Sequence, residues 1–362
     1  MTEEYINKYI ETLLGVGTID ITKEEVVDQL LDVHLKNCPQ KLYKYRTCSR
    51  KNFKTLREGK IFMPFAKEFK DIFDNTVKFD LQEEADGIKK YLYDKIDEFI
   101  LVSINRQLAS IGLQINCTIE EVKEIREKYF TNEGVFLVDV YEKNPVVGDK
   151  TIVFNAIQRC SEILSNKKED FERTLNNTVN NIIASGRKPR EENIVYCISE
   201  DGNCPVMWEN YAENYQGFCI EYDFSCWREK PIYSKILLLY LLPVLYSKEK
   251  PRQDLLPAIQ IAIEQYITQQ KQEMPKQQII DYNKQLLQKS TDYDYEREWR
   301  IALLYRGEQL VEFPFVSAIY MGKDIAENNI KHLQVIAKKL NVPLYKQDIN
   351  YYTNRYEYKL YS

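Results

Sequence analysis

Three short segments hold the residues whose types and spacing could do chemistry. The first is YEREWRI, residues 295–301. On an extended strand, residues two apart face the same side. Glu296, Glu298 and Arg300 would then share one face, and Tyr295, Arg297, Trp299 and Ile301 the other. Two carboxylates this close resist joint ionisation unless a cation compensates, and Arg300 is placed to be that cation. Such a face suits a site that stabilises developing positive charge; it equally suits a solvated edge strand with a salt bridge. The second segment is KLYKYRTCSRKNFKTLREGKIFMPFAKEFKD, residues 41–71, in which a strand ends in Arg46. A strand-terminal arginine can grip a phosphate or diphosphate bidentately, although ordinary surface arginines sit there too. The third is IVYCISEDGNCPVMWENYAENYQGFCIEYD, residues 194–223. Here Ser199 ends a strand, where its hydroxyl could support a ligand or a neighbouring carboxylate. Trp208 and Tyr211 lie three apart on one helical face, as core residues or as a stacking platform.

Composition narrows the chemistry further. The chain of 362 residues has only two histidines, His34 and His332, and no HExxH. Histidine triads and multi-histidine metal centres are therefore not expected, and carboxylates, arginines and hydroxyls must carry any reaction. Fifty basic against 55 acidic residues give a net charge of −5, which argues against a mainly basic nucleic-acid binder. The eight cysteines form no CxxC; Cys197/Cys204 and Cys219/Cys226 share a seven-residue offset, read as buried thiols rather than a zinc site. The N-terminus, MTEEYINKYIETLL, lacks the basic region and apolar block of a secretory signal, so reduced thiols and a cytoplasmic location are expected. The most apolar stretch, residues 236–246, contains Pro243 and is too short to span a bilayer; a buried strand pair is expected, and no membrane partner.

The elements that must position these residues follow from periodicity and punctuation. Residues 1–40 read as two helices, the second opened by a capping box of Thr22 and Glu25, with Val26, Leu30, Leu31 and Val33 on one face. Residues 42–46 form a short strand. Ser49 caps a helix that runs through Leu56 and stops at Gly59, and residues 61–65 form another strand. Residues 80–190 are long, charged and helix-periodic, with a second capping box at Thr118 and Glu121 and a loop or hairpin over 132–150. Strand character returns at 194–199, followed by a proline-led helix over 205–215, a strand at 217–224, one or two strands in YSKILLLYLLPVLYS, and a Gln/Lys-rich helical stretch over 253–290. Strands at 297–305 and 316–322, a helix from about 324 to 340 and a last strand close the chain. The expected fold is α+β: a mixed, mostly antiparallel split sheet with helices around it. The expected organisation is N-terminal helices over 1–40 and an α+β catalytic-type domain over 41–362, interrupted by a helical insertion at 80–190.

Several of these segments, taken in order, resemble the blocks of the bacterial family named domain of unknown function 2971. The matching residues are LYKYR, FKDIFD (69–74), CISEDGNCPVMWENYAENYQGFCIEYD, YEREWRI and AIYMGKDI. Lys70 and Ile72 depart from the asparagine and proline usual in the FKDIFD block, whereas Asp71 and Asp74 fit it. That family's name conveys no activity.

The layout is also similar to arginine–serine–glutamate ADP-ribosyltransferases. Arg46 of LYKYR, Ser199 of YCIS, and Glu296 and Glu298 of EREW occur in the order of that family's motifs. The similarity implies an ADP-ribosyltransferase-like split sheet and a glycosyltransferase or NAD glycohydrolase reaction with NAD as the bound dinucleotide. Under it, Glu298 stabilises an oxocarbenium-like ribosyl cation, as in sugar hydrolysis. Glu296 positions or deprotonates the acceptor, Arg46 holds the diphosphate side and Ser199 orients Glu298. Tyr45, Trp208, Tyr211 and Arg300 complete the dinucleotide site. The acceptor would be water, a protein or a nucleic acid. By analogy with that enzyme class, a bacterial toxin or phage-defence effector is expected. Two other readings stand beside it. A metal-dependent nuclease could use Asp71, Asp74, Glu221, Asp223, Glu296 and Glu298 to hold Mg²⁺. A non-enzymatic interaction module could present the amphipathic helices to a partner.

Overall fold

The computed structural model describes residues 3–14, 21–69, 71, 74, 81–110, 117–131, 135–148, 150–165, 188–249, 256–268, 270, 276–350, 352–353 and 355–361. The chain divides into two compact units: Met1–Lys78 with Arg187–Pro251 and Ile279–Ser362, and Phe79–Gly186 with Arg252–Gln278. Of the helical stretch expected to continue beyond Ser165, residues 166–187 lie outside the described residues, as do Lys70 and Ile72.

The strands of the first unit are β1 (Lys41–Arg46), β2 (Lys60–Phe62), β3 (Asn193–Ser199), β4 (Phe218–Asp223), β5 (Leu241–Pro243), β6 (Leu245–Ser247), β7 (Gln288–Ser290), β8 (Glu298–Leu304), β9 (Leu310–Glu312), β10 (Val316–Met321), β11 (Leu344–Asn350) and β12 (Arg355–Leu360). Among the described residues, eight of them form one sheet in the order β12-β11-β10-β4-β1-β3-β8-β5. Its neighbours are antiparallel except β10 and β11. The architecture is thus mixed α+β with a mostly antiparallel, open sheet.

Strand alternation sorts side chains onto two faces. Leu42, Ile194, Tyr196, Ile198, Phe218, Ile220, Trp299 and Ile301 enter one core, beneath Val27, Leu31, Leu56, Leu333 and Ile336 from the helices. Their strand neighbours point the other way, where Tyr45 and Cys219 pack with Cys204, Met207, Trp208 and Tyr215. The sheet narrows between β1 and β3. β1 pairs with β4 over six positions and β3 with β8 over seven, but β1 meets β3 only at Tyr43 opposite Ser199. Further along β3, the Val195 amide donates to Pro64 O instead (2.9 Å). The two halves of the sheet therefore part just beyond Tyr43, and both cavities described below open there.

The strand ends are set by tight local geometry. The Pro205–Tyr211 helix carries its proline in the first turn, where no amide donor is lost. It is followed by three left-handed non-glycine residues, Glu213, Asn214 and Tyr215 (φ 52°, 50° and 65°). Backbone bonds from Asn214 N to Glu209 O, Tyr215 N to Trp208 O and Asp324 N to Tyr215 O hold this turn. Gly217 completes it, because a Cβ there would come within 2.2 Å of Arg46 O.

Several expected elements differ from those observed. The Glu24–His34 helix has Lys23 as its N-cap with no side-chain cap, so the Thr22–Glu25 capping box does not form. The helix instead turns Val27, Leu31 and His34 inward and leaves Val33 exposed. His34 lies on this buried face, where it stacks on Tyr9 at 4.0 Å and its Nε2 lies 2.9 Å from Leu241 O. The apolar run expected as strands is a helix, Ile232–Leu239, followed by the short β5 and β6. Burial on nearly every side of this helix removes the periodic signal that separates helix from strand. The segment 291–296 is a 3₁₀ helix closed by Arg297 in a left-handed conformation (φ 42°), so β8 begins only at Glu298. Glu296 is therefore not a strand residue.

The second unit is helical: Leu81–Asp94, Ile96–Ser110, Ile119–Tyr129, Val138–Lys143, Lys150–Ser165 and Leu256–Thr268. Ile100, Ile104, Val122, Ile125, Tyr129, Phe130, Phe154 and Ile157 form its core. The capping box of Thr118 and Glu121 is present, and Arg126 grips Asp97 through two bonds of 2.6 and 3.0 Å. No helix among the described residues is long and apolar enough to cross a membrane.

Candidate active site

Where β1 leaves β3, a cleft of about 610 Å³ opens. β1 contributes Tyr43, Lys44 and Tyr45, and β3 contributes Cys197 to Ser199. Met207, Asn210 and Tyr211 come from the short proline-led helix, Glu68, Phe69, Asp71 and Asp74 from the segment after β2, and Lys289, Tyr293, Tyr295, Glu296 and Glu298 from β7, the 3₁₀ helix and the head of β8. The size falls within the range of about 300–1,000 Å³ typical of small-molecule sites.

The floor of the cleft is a charge network that begins with Arg300. Its guanidinium is completely buried and forks onto both oxygens of Asp74, at 3.0 and 2.8 Å. The same group donates from Nε to Glu298 Oε1 (2.7 Å), from Nη2 to Glu298 Oε2 (3.3 Å) and from Nη1 to Leu286 O (2.8 Å). Lys289 bridges the two glutamates, donating to Glu298 Oε2 at 2.7 Å and to Glu296 Oε2. The Tyr211 hydroxyl donates to Glu296 Oε1 (2.8 Å).

The two glutamates differ in ionisation. Burial works against the charge of Glu298, but Arg300 and Lys289 outweigh it and hold the carboxyl well below the usual carboxylate range. For Glu296 burial wins over Lys289, and the Glu298 charge adds to it, so this carboxyl is raised. They differ in availability too. A carboxylate offers about four lone-pair sites. Glu298 spends them on Arg300 twice, Lys289 and the Cys197 thiol. Among the described residues, Glu296 receives only Tyr211 and Lys289. Glu296 is therefore the carboxylate with acceptor capacity left for a ligand.

Two further groups shape the chemistry. Lys44 lines the cleft where the sheet parts, donates to Cys197 O and lies 5.1 Å from the Tyr196 ring centroid. Burial, with the Arg46 charge adding to it, pulls its ammonium down to about 8. The Cys197 thiol is pushed up by burial and then by Glu298, which keeps it protonated and makes it a donor rather than a nucleophile. Counting the lining residues with buried Arg300, five carboxylates (Glu68, Asp71, Asp74, Glu296, Glu298) face three cations (Lys44, Lys289, Arg300), an excess of two negative charges.

The structure brings some of the expected site residues together and separates others. Glu296, Glu298, Ser199, Tyr45 and Tyr211 all line the cleft. Ser199, however, does not orient the Glu298 carboxylate: its hydroxyl donates to the backbone carbonyl of Glu296 (2.6 Å) and accepts from Asp201 N (3.1 Å). Tyr45 lines the cleft but is almost wholly buried, and its hydroxyl donates to Asp201 O (2.7 Å). Trp208 is no stacking platform. It is fully buried, packed edge-on to Tyr45 and parallel to Tyr215, with Nε1 donating to Tyr358. Arg300 lies beneath the cleft and is spent on carboxylates. Arg46 does not enter the cleft. By alternation it shares a face with Leu42 and Lys44, and it lines a second cavity on the core side of the sheet. The expected convergence of Arg46, Ser199 and Glu298 is thus corrected: two of the three meet. Lys289 escaped the sequence reading, although it stands seven residues before Glu296; a parallel pairing of β6 with β7 aims it.

A family model described as protein of unknown function (DUF2971) matches residues 207–301. That stretch carries Tyr211, Lys289, Glu296, Glu298 and Arg300, but not β1, β3 or Asp74. The fold and site therefore define an α+β protein with an acidic, tyrosine-lined cleft at the parting of its sheet, similar over that stretch to this family of unknown function. No curated protein and no solved structure matches the chain. Among the described residues, no group of three or more His, Cys, Asp or Glu side chains is placed to hold a metal ion.

Proposed function

We propose that this cleft breaks the N-glycosidic bond of NAD, releasing nicotinamide and passing ADP-ribose to water or to a macromolecular acceptor. The observation that carries the reading is the pair of glutamates bridged by Lys289, with Glu298 held below the usual carboxylate range by Arg300 and Lys289 and Glu296 raised and only partly satisfied, in a cleft of net negative charge. Neighbouring carboxylates pushed apart in pKa are how acid–base roles are divided. In the reaction the C1′–N bond breaks, its electron pair neutralises the pyridinium ring, and the ribose becomes oxocarbenium-like. An acceptor hydroxyl then bonds to C1′ and its proton passes to Glu296. An excess of fixed negative charge favours this cation over the ground state and lowers the barrier. Tyr293 and Tyr295 line the cleft and are the aromatic rings available to the nicotinamide. Lys44 is the cation available to the diphosphate. Arg46 has no part in this version. The split of the sheet at Tyr43 supports the likeness to ADP-ribosyltransferases, and a toxin or defence role rests on that likeness.

The test is incubation with NAD and detection of free nicotinamide, with labelled NAD to follow transfer. Release by the wild-type protein, lost on Glu296→Gln and insensitive to chelator, is the expected result. No release at millimolar NAD, or equal release by the variant, overturns the reading. The nuclease alternative is disfavoured because Asp74 and Glu298 are already neutralised by Arg300 and Lys289.

A further inference from the structure

On the opposite face of the sheet from the cleft, a second cavity of about 270 Å³ lies where β1 parts from β3. Three of its polar lining residues are cationic, while Asn52 and Thr55 already spend their donors on Thr47 and on Lys51 O. Arg46 comes from β1, Lys51, Asn52 and Thr55 from the Arg50–Arg57 helix, and Lys60 from β2. No carboxylate lines it. None of its three cations forms an ion pair among the described residues; two rest on aromatic faces instead. Lys51 Nζ sits 3.4 Å above the Phe62 ring, and the Arg46 guanidinium 5.8 Å from the Tyr196 ring.

The floor of this cavity is built. Tyr196 and Tyr222 are each 2 % exposed, and their hydroxyls bond to each other at 2.8 Å. Their shared bond uses one of two hydroxyl protons, which leaves a donor in reserve. Three cations gathered without a counter-charge repel one another. A bound anion relieves that repulsion and satisfies the hydroxyl. The volume lies just below the range of about 300–1,000 Å³ for drug-sized ligands, which fits a phosphoryl group better than a whole dinucleotide.

We propose that this cavity binds a phosphate group, carried either by free inorganic phosphate or by a phosphomonoester, with Arg46, Lys51 and Lys60 as its cationic ligands. The site is separate from the carboxylate cleft and does not depend on the NAD reading.

Calorimetric titration of the full chain with inorganic phosphate and, separately, with AMP tests it. Saturable binding, weakened at least tenfold by Arg46→Gln and by Lys60→Gln but kept by Glu296→Gln, is the expected result. Tighter binding of AMP than of phosphate identifies a phosphomonoester as the ligand; equal binding identifies the free anion. Absence of saturable binding of both probes overturns the proposal. So does binding that survives both cation variants, or binding that Glu296→Gln removes, which would put the anion in the cleft. Far-UV circular dichroism checks folding; if Arg46→Gln does not fold, the half-buried Lys60 carries the comparison. Nicotinamide release is a separate readout, so this proposal and the catalytic one fail independently.

Discussion

Two glutamates on central strands of the same sheet, Glu298 of β8 and Glu221 of β4, are each 4 % exposed, and both are held ionised below the usual range. Their surroundings differ. Against the cost of burial, Glu221 is satisfied by Lys41 (2.9 Å), Ser317 (2.8 Å) and Tyr320 (2.8 Å), with Tyr43 at 3.3 Å. Its one cation, Lys41, is 47 % exposed. Glu298 leans on two buried cations, and they in turn hold Glu296 and Asp74. Burial and ionisation therefore do not mark a site. What separates Glu298 from Glu221 is a second carboxylate with the opposite tendency, placed beside an open cleft.

The comparison can be broken most forcefully at its cations. Arg300→Met leaves Asp74 and Glu298 facing each other without their buried partner and is expected to cost about 3–5 kcal/mol, read by denaturant unfolding. A loss under about 1 kcal/mol would show that the network is not what stabilises these carboxylates. Next comes catalysis. Glu296→Gln is expected to lower nicotinamide release by about 10²–10⁴-fold, the usual contribution of a general base. Glu221→Gln should leave release unchanged, and a loss there would erase the distinction between the two glutamates. The raised Glu296 should also make the rate climb with pH through a midpoint above the ordinary value of 4.5.

Stability against pH sharpens the contrast with a third buried group. Burial drives His34 from 6.5 down to about 4 despite its bond to Leu241 O. A folded pKa below the unfolded one means the contribution is present above pH 6.5 and lost as pH falls towards 4, about 3 kcal/mol in all. Glu298, also depressed, contributes above its unfolded value of about 4.3 and is lost only below it. Glu296, raised, has the opposite sign: its contribution is present at low pH and fades as pH rises. Unfolding of His34→Gln should therefore flatten between pH 6.5 and 4 and still steepen below. An unchanged profile would mean that His34 takes up its proton without disturbing the fold. The smallest effect is expected at Lys41→Met, below about 1 kcal/mol, because a half-exposed partner is screened by solvent.

Features set within a few residues were legible in the chain. The Ser49 cap accepts from Asn52 N, the Thr118–Glu121 box closes, and Pro205 opens its helix, because each bond or ring constraint spans at most one helical turn. The alternation of β1, β3 and β4 was equally readable. Features that need a choice between equal local options were not. Val26 and Val33 are as apolar as Val27, and the helix phase is settled by distant partners, among them Leu241 O for His34 and Lys235 for Glu24 and Asp28. The 232–239 run is buried on most sides, which suits a buried helix or a buried strand alike.

The sequence alone pointed to carboxylates, arginines and hydroxyls, not histidines, for any chemistry here. Composition suffices for that, since it does not depend on distant parts of the chain, whereas Glu296 and Glu298 are held together by Lys289 across the end of a 3₁₀ helix and not by a shared strand face. Only the tertiary structure decided that Lys289 and Arg300 neutralise those glutamates, that Trp208 is core, and that Arg46 faces away from the cleft. The reason is geometric: a strand's alternation is known from sequence, but which face meets the cleft depends on where β1 leaves β3, and that parting is set by the Pro64 segment, some 130 residues away along the chain from the β3 edge it occupies.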